Sequence, residues 1–355
     1  MLIWLLTLAG IFICYFISEK RKNPRKFFLI SAGIVIVLVL GSRYFINGFT
    51  DEITYNYLYQ TYSEMGFSEF VSSRWGERDF GFYLTYWCMA QIIPWAQFPI
   101  YFITALFTAV TFRFIYKNTN ATLIPVILMF AFGTFSFHMA AYRQCFAMCI
   151  CIIAFEVAKK RGLGWLLLYA ALMYIAASMH ISSVFFIPVY FLVRIDTTEK
   201  GLLEWLGSIV AISLGAGALL RYASDLLGKD GYLDTMEFSA TGLIIQVFIM
   251  IVPLVMAFLK LVDLRELSRL QHSLLILTSI GILFLGMKFV YYAYERVSYY
   301  YSFFVIASFS NASMNIHHKK GETNFVLPLQ LAIVGLLLIL SFLRMPTNIE
   351  FFWQV

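Results

Sequence analysis

The sequence predicts an all-α, polytopic transmembrane bundle of about 12 spans, within a range of roughly 10 to 13, with its N-terminus outside. Three observations carry that expectation. The 355 residues are 61% hydrophobic and only 13% charged. The apolar residues gather in runs close to the length needed to cross a bilayer. The basic residues gather between those runs, in short loops, as orientation signals do.

Composition fixes the class before any motif is read. A soluble domain keeps a large polar surface, and runs of Leu, Ile, Phe, Val and Tyr this long leave no residues to make one. No long stretch reads as soluble structure, so residues 1–355 are expected to form a single integral membrane domain. There is no G-x-x-x-x-G-K-[ST] loop to cradle nucleotide phosphates, and no G-x-G-x-x-G after a strand pattern, which argues against ATP-driven pumping by this chain. The net charge of +6 would suit a nucleic-acid partner, but its placement in short loops fits membrane orientation instead. Cys14, Cys88, Cys145, Cys149 and Cys151 all fall in apolar runs without C-x-x-C pairing, and read as small core residues. His138, His272, His317 and His318 lack metal-ligand spacing, so no metal site and no cofactor is expected.

The elements follow in order. The run from Leu2 to Ile17 has no basic segment before it and is not a secretory signal. Lys20, Arg21, Lys22, Arg25 and Lys26 come next and mark the cytoplasmic side, so Phe27 to Phe45 returns outward. Residues 46–79 then form a first large external loop. Residues 80–116 read as two short spans around Pro94 and Pro99. With Arg113 and Lys117 inside, however, an odd number of crossings is required, so one piece lies flat or re-enters. Further basic loops at Lys159–Arg161, Arg194 with Lys200, Lys260–Arg269 and His317–Lys320 separate three hairpins: 163–179 with 181–193, 202–220 with 241–259, and 273–291 with 297–314. A last span, 324–343, leaves the C-terminus outside; the loops assigned to the cytoplasm hold 17 of the 26 Lys and Arg. No internal repeat is visible.

The remaining charges stand at the outer ends of spans, where ionisable groups are costly and tend to be functional. The first external loop carries Gly41-Ser42-Arg43, Asp51, Tyr55 and Tyr59, then Arg74-Trp75-Gly76-Glu77-Arg78-Asp79-Phe80-Gly81-Phe82. Arg43 reads either as a snorkelling interface residue or as a member of a site. Arg143 opens Tyr142-Arg143-Gln144-Cys145-Phe146-Ala147, a run with no further charge until Glu156, so it needs a buried carboxylate or an anionic ligand. Its planar fork matches phosphate oxygens in a way a lysine does not. His180, between Ser178 and Ser182-Ser183, suits either a hydrogen-bonded structural role or a proton acceptor. Arg296 sits before Tyr299-Tyr300-Tyr301, an aromatic shelf that is either an interface belt or a stacking platform for sugars. The second external loop, 221–241, with Asp225, Lys229, Asp230, Asp234 and Glu237, reads as a substrate loop or as solvated filler, and lacks a calcium-loop pattern.

Several arginines facing one external cleft point to an anionic, lipid-borne substrate such as a polyprenyl diphosphate. With no energy-coupling domain in sight, the leaving group must arrive already activated. The order of motifs resembles that of the EpsG/Wzy-type polysaccharide polymerases. The likeness is carried by Gly41 with Arg43, Asp51, Asp79-Phe80-Gly81-Phe82, Arg143-Gln144 with Ala147, His180 with Ser182, and Arg296 with Tyr299 or Tyr300, over residue 1 to about 315. The family more often has Glu in the acidic element, so either Asp79 or Glu77 fills that position here.

The resemblance implies a polymerase of polyprenyl-diphosphate-linked repeat units on the outer face of the bacterial cytoplasmic membrane. In that reading Arg143 and Arg296, with Arg43, neutralise the departing diphosphate, and Asp79, Glu77 or His180 takes the acceptor proton. Asp51, Arg78, Gln144, Tyr299 and Tyr300 bind substrate, no metal takes part, and a flippase and a chain-length regulator are partners. A flippase would place charges at mid-membrane on paired repeats, for which Lys288 is the one candidate. An O-antigen-ligase-like transferase would use an early acidic pair, for which Asp51-Glu52 is available. A polysaccharide acyltransferase would need a better placed histidine and fewer outer arginines.

Overall fold

A computed structural model describes residues 2–44, 50–195, 198, 200–209, 249, 268–287, 293–314, 332, 334–340 and 342. The predicted loop 221–241, Lys288, the basic cluster 317–320 and most of the spans 202–220, 241–259 and 324–343 lie outside them. Every regular element among the described residues is a helix. In chain order these are α1 (Leu2–Ser18), α2 (Pro24–Gly41), α3 (Thr50–Glu64), α4 (Phe67–Arg74), α5 (Phe80–Ile92), α6 (Phe98–Asn118) and α7 (Leu123–Ala131). They continue with α8 (Thr134–Ala140), α9 (Tyr142–Ala158), α10 (Leu163–Met179), a 3-10 helix (Ile181–Phe186), α11 (Val189–Leu192), α12 (Arg269–Met287) and α13 (Ala293–Met314).

Length and composition make α2, α6 and α12 able to cross a membrane, and the pair α7 and α8, broken at Gly133 (φ +79°), passes the same test as one span. Shorter apolar helices over residues 3–18 and 163–179, and a broken apolar helical segment over 181–192, accompany them. The described residues are thus all-helical and hold three to four candidate membrane spans of full length. The expected α5/α6 pair turns out unequal. At 13 residues α5 is only about 20 Å long, whereas the 21 residues of α6 cover about 30 Å, the depth of a hydrocarbon core. Only α6 can cross. The predicted span 181–193 is also not one helix. Ser182 and Ser183 sit in a 3-10 turn, and Pro188, which has no N–H to continue a helix, stands just before the four-residue α11.

The described residues fall into two compact units. The first holds α1–α6, α8 from Phe135, α9, α10 and the 3-10 helix. Here α1 packs on α2, α3 and α4 on α5, and α5 and α9 on α10. Phe28, Ile36, Leu40, Phe82 and Phe107 are wholly enclosed. Outward, Ile30, Ile34, Leu38, Leu167 and Tyr174 are exposed, as lipid-facing side chains are in the absence of a bilayer.

The second unit holds α7, α11, α12 and α13. Its central element is α13, buried along most of its length. The hydroxyls of Ser298, Ser302 and Ser310 return to backbone carbonyls of the same helix, as an apolar interior demands. Thr278 of α12 reaches Ser308 of α13 at 3.0 Å, and the Asn311 amide donates to the Asn118 carbonyl at 2.9 Å.

Within the first unit α2 and α6 run antiparallel in close contact. Arg25 donates to the Ile115 carbonyl at 2.8 Å, Gly33 lies against Thr108 and Phe112, and Ser42 meets the Tyr101 hydroxyl at 2.6 Å. Gly41 is what admits the Tyr101 ring, because a Cβ there would stand 2.5 Å from it. Gly41→Val should therefore lower thermal stability by about 1–3 kcal/mol through overpacking. Tyr101→Leu in the same chain should recover part of that loss; unchanged melting of the single variant would refute this account of the helix pair.

Candidate functional site

The site is built where α2 stops. Arg43 follows the last turn of α2, and its carbonyl and that of Gly41 both accept from the Gln97 amide, at 2.7 and 2.8 Å, which pins the chain as it leaves the helix. The Arg43 side chain is 0% exposed. Its Nε donates to Glu52 Oε1 at 3.0 Å, Nη1 to the Leu40 carbonyl at 2.6 Å and to Thr104 at 3.3 Å, and Nη2 to the Tyr142 hydroxyl at 3.2 Å. The Tyr142 hydroxyl in turn donates to Glu52 Oε1 at 2.5 Å, and Thr104 meets His138 Nε2 at 3.0 Å. One guanidinium thus ties α3, α6 and α9 to the end of α2, and Thr104 links α8 to it. A buried pair of this kind offers little net stability, but removing one partner strands a charge and costs about 3–5 kcal/mol.

A second, more open layer stands beside it. Tyr55 of α3 stacks on Tyr142, with centroids 4.8 Å apart and planes 10° from parallel, and its hydroxyl accepts from Arg143 Nε at 3.3 Å. Arg143 Nη1 pairs with Asp79 Oδ2 at 2.7 Å. The same carboxylate oxygen lies 3.6 Å from His180 Nδ1, just beyond hydrogen-bond reach. Neighbours in sequence at the start of α9 therefore divide the work: Tyr142 turns to the buried pair and Arg143 to the open cluster. Arg143 keeps 34% of its side chain exposed and His180 19%, while Asp79 has 8%. The cluster can therefore be reached from outside the protein.

Local sequence explains how these groups meet. Asp79 is the residue before α5, and His180 is the residue after α10. Gly81 lets the two helices close there, since a Cβ on it would stand 2.2 Å from Ser178 Oγ and 3.1 Å from the Ser178 backbone. The spacing Asp79-x-Gly81 and the run Ser178-x-His180 are thus two halves of one contact. Burial works against the charge on Asp79, but His180 and Arg143 outweigh it and hold the carboxyl below its ordinary value.

The other residues predicted for the site are placed differently. Glu77 pairs with Arg74 at 2.8 Å on an exposed turn, and Arg78 is exposed. Asp51 sits half-buried in the first turn of α3, and Gln144 is buried. Arg296, Tyr299 and Tyr300 belong to the second unit, where Arg296 is exposed, both tyrosines are buried and Tyr299 meets Phe132 edge-on. Glu52 entered only as half of an early acidic pair in the ligase-like alternative, and Tyr55 and Tyr142 had no assigned role. The demand for a carboxylate partner was read at Arg143 and applies equally to Arg43, which is enclosed rather than snorkelling. Among the described residues no group of three or more His, Cys, Asp or Glu is arranged to hold a metal.

Two outcomes follow from this geometry. Gly81→Ala should part α5 from α10 and destabilise the protein by about 1–3 kcal/mol, with partial recovery in Gly81→Ala/Ser178→Gly. Equal melting of Gly81→Ala and wild type would show that the contact does not matter. Because the folded-state pKa of Asp79 is depressed, its ion pair contributes stability above the ordinary carboxylate range and loses it as pH falls through the lower folded value. The melting difference between wild type and Asp79→Asn, of the order of 1 kcal/mol for a partly exposed pair, should therefore persist down to about pH 5 and close only in stronger acid. A difference that vanishes already near neutrality would contradict the pairing.

No curated protein and no solved structure matches this chain. Residues 26–353, nearly its whole length, match the EpsG family and cover the buried pair, the Asp79–Arg143–His180 cluster and Arg296 alike; the chain belongs to the EpsG family.

Proposed function

We propose that this protein is a glycosyltransferase that polymerises polyprenyl-diphosphate-linked oligosaccharide repeat units on the outer face of the bacterial cytoplasmic membrane. The observation that carries this reading is the partly exposed Arg143, held by Asp79 and Tyr55 beside His180. Membership of the EpsG family supports it. An arginine fixed in this way offers hydrogen bonds to an arriving diphosphate without having to be ordered first, and the N-terminal amides of α9 lie next to it.

The reaction needs three things of these residues. A hydroxyl of the acceptor sugar attacks the anomeric carbon of the donor glycan, forming the new glycosidic C–O bond. The bond between that carbon and the diphosphate oxygen breaks, and the electron pair leaves with the polyprenyl diphosphate. Arg143 stabilises the charge that develops on the leaving group, where a guanidinium in a water-poor cleft is most effective. The hydroxyl proton goes to His180. Asp79, held below the ordinary carboxylate range, is a weak base, and its role is to orient Arg143 and His180. Its Oδ1, buried and without a hydrogen-bond partner among the described residues, is an acceptor for a sugar hydroxyl. Arg43, enclosed with Glu52 and Tyr142, positions the start of α9 and touches no substrate.

The test is polymerisation by purified protein in liposomes supplied with lipid-linked repeat units. Arg143→Ala should lower the rate by about 10²-fold or more, and Arg143→Lys should recover little, because the fork is lost with the charge kept. His180→Gln should lower the rate by a similar factor, within the range of general-base catalysis. Long chains from a correctly inserted Arg143→Ala variant would overturn the assignment. Translocation of single units without growth would instead identify a flippase.

A further inference from the structure

Away from this site, at the other end of α2, lies a groove of about 740 Å³ along the seam with α6. Its floor is made of small residues, Gly33, Ala105, Thr108 and Ala109, with Phe112 at its side. Ile30, Ile34 and Leu38 on its rim are more than half exposed. At one end stand two cations, Lys26 and Arg113, neither of which forms a salt bridge among the described residues. Nearby charges are already occupied. Arg25 donates to the Ile115 carbonyl and lies over the Tyr116 ring, and Lys117 faces Glu156 at 3.4 Å.

Thr108 is the second, independent observation. Threonines in α6 otherwise return their hydroxyls to the helix: Thr104 to the Ile100 carbonyl at 2.6 Å and Thr111 to the Phe107 carbonyl at 2.7 Å. Thr108 is 3% exposed, lines the groove, and its Oγ1 has no hydrogen-bond partner among the described residues. That Oγ1 is closed off from the groove while the Thr108 methyl faces Gly33; an unpartnered buried hydroxyl is costly, and a turn about Cα–Cβ would bring it into the groove in place of the methyl, toward a hydrogen-bonding group there. Thr108 lies five residues, about 7 to 8 Å, deeper along the helix than Arg113. A lipid carries its glycerol ester carbonyls at that level, below its phosphate.

We infer that this groove binds an anionic glycerophospholipid of the bilayer, its phosphate between Lys26 and Arg113, an ester carbonyl accepting from Thr108, and an acyl chain along Gly33 to Leu38. Dimensions and charge select this occupant. From Lys26 to Leu38 the groove runs about 18 Å, close to the depth of one leaflet of a hydrocarbon core about 30 Å thick. Its cationic end lies about 25 Å along α2 from Arg43, so its headgroup sits in the leaflet opposite the candidate active site. The polyprenyl diphosphate proposed as substrate presents its headgroup to the other leaflet. The groove is thus a separate lipid site.

The experiment is native mass spectrometry of the full-length protein released from nanodiscs made of phosphatidylglycerol and phosphatidylcholine in equal amounts with matched chains. Wild type should retain phosphatidylglycerol about tenfold over phosphatidylcholine, in line with two cations acting near an anionic headgroup. Lys26→Gln/Arg113→Gln should abolish that preference. Gly33→Leu, which fills the floor and leaves the charges, should reduce retention of both lipids. Equal retention of the two lipids by wild type overturns the inference, and so does a preference that survives both variants. Displacement of phosphatidylglycerol by an equal amount of polyprenyl phosphate also overturns it, by identifying a substrate-type lipid as the occupant. The wild-type comparisons decide the matter even if a variant does not insert.

Discussion

The enclosed Arg43–Glu52 pair is the constraint on which the rest of the candidate site depends. In an apolar chain a guanidinium with no exposed surface is tolerated only because Glu52, Tyr142, Thr104 and the Leu40 carbonyl surround it together. Each partner comes from a different element, so satisfying one charge fixes the start of α3, the middle of α6 and the first residue of α9. Arg143 follows Tyr142 directly, and its direction is set by where Tyr142 must point. The open cluster thus inherits its geometry from the closed one.

A second constraint is the small residue at a close approach. Gly41 admits Tyr101, Gly81 admits Ser178, and Gly33 faces Thr108 and Phe112. Helices in a bilayer gain little from burying apolar surface against one another, so close backbone approach and hydrogen bonds across the seam take over that role. At Gly41 and Gly81 this closeness assembles the site; at Gly33 it leaves a groove. Two of these glycines flank the charged residues that the sequence motifs contain, which gives the spacings Gly41-x-Arg43 and Asp79-x-Gly81 a common physical meaning.

The division of labour between charges follows from exposure. Arg43 and Arg143 look equivalent as arginines at the ends of apolar runs. One is sealed among its partners and organises structure, whereas the other keeps a third of its side chain open and has one carboxylate oxygen and one phenol as partners. Glu77 and Asp79, two residues apart, separate in the same way: the first is occupied by Arg74 at the surface, the second lies buried between Arg143 and His180. The groove at the other end of α2 repeats the theme with a free pair of cations and a hydroxyl in place of an ion pair.

Composition and the basic loops pointed to a helical membrane protein, and local patterns located α1, α2, α6, α10, α12 and α13, whereas α3 and α4 lie in the stretch 46–79 read as a loop and α7 to α9 in a stretch given no spans. The boundaries of α1 and α10 came within a residue or two of prediction, because apolar runs flanked by charges and glycine are local signals. The short α5 and the broken segment at Ser182-Ser183 and Pro188 were less legible, since hydropathy does not register where a backbone stops being helical. The sequence also pointed out Asp79, Arg143 and His180 as polar residues out of place. Only the tertiary structure decided that these three meet, that Glu52 and Tyr142 take Arg43 out of reach, and that Arg296 lies in the other unit. Pairings between residues far apart in the chain are set by which helices pack together, and the periodicity of a single helix holds no information about its neighbour.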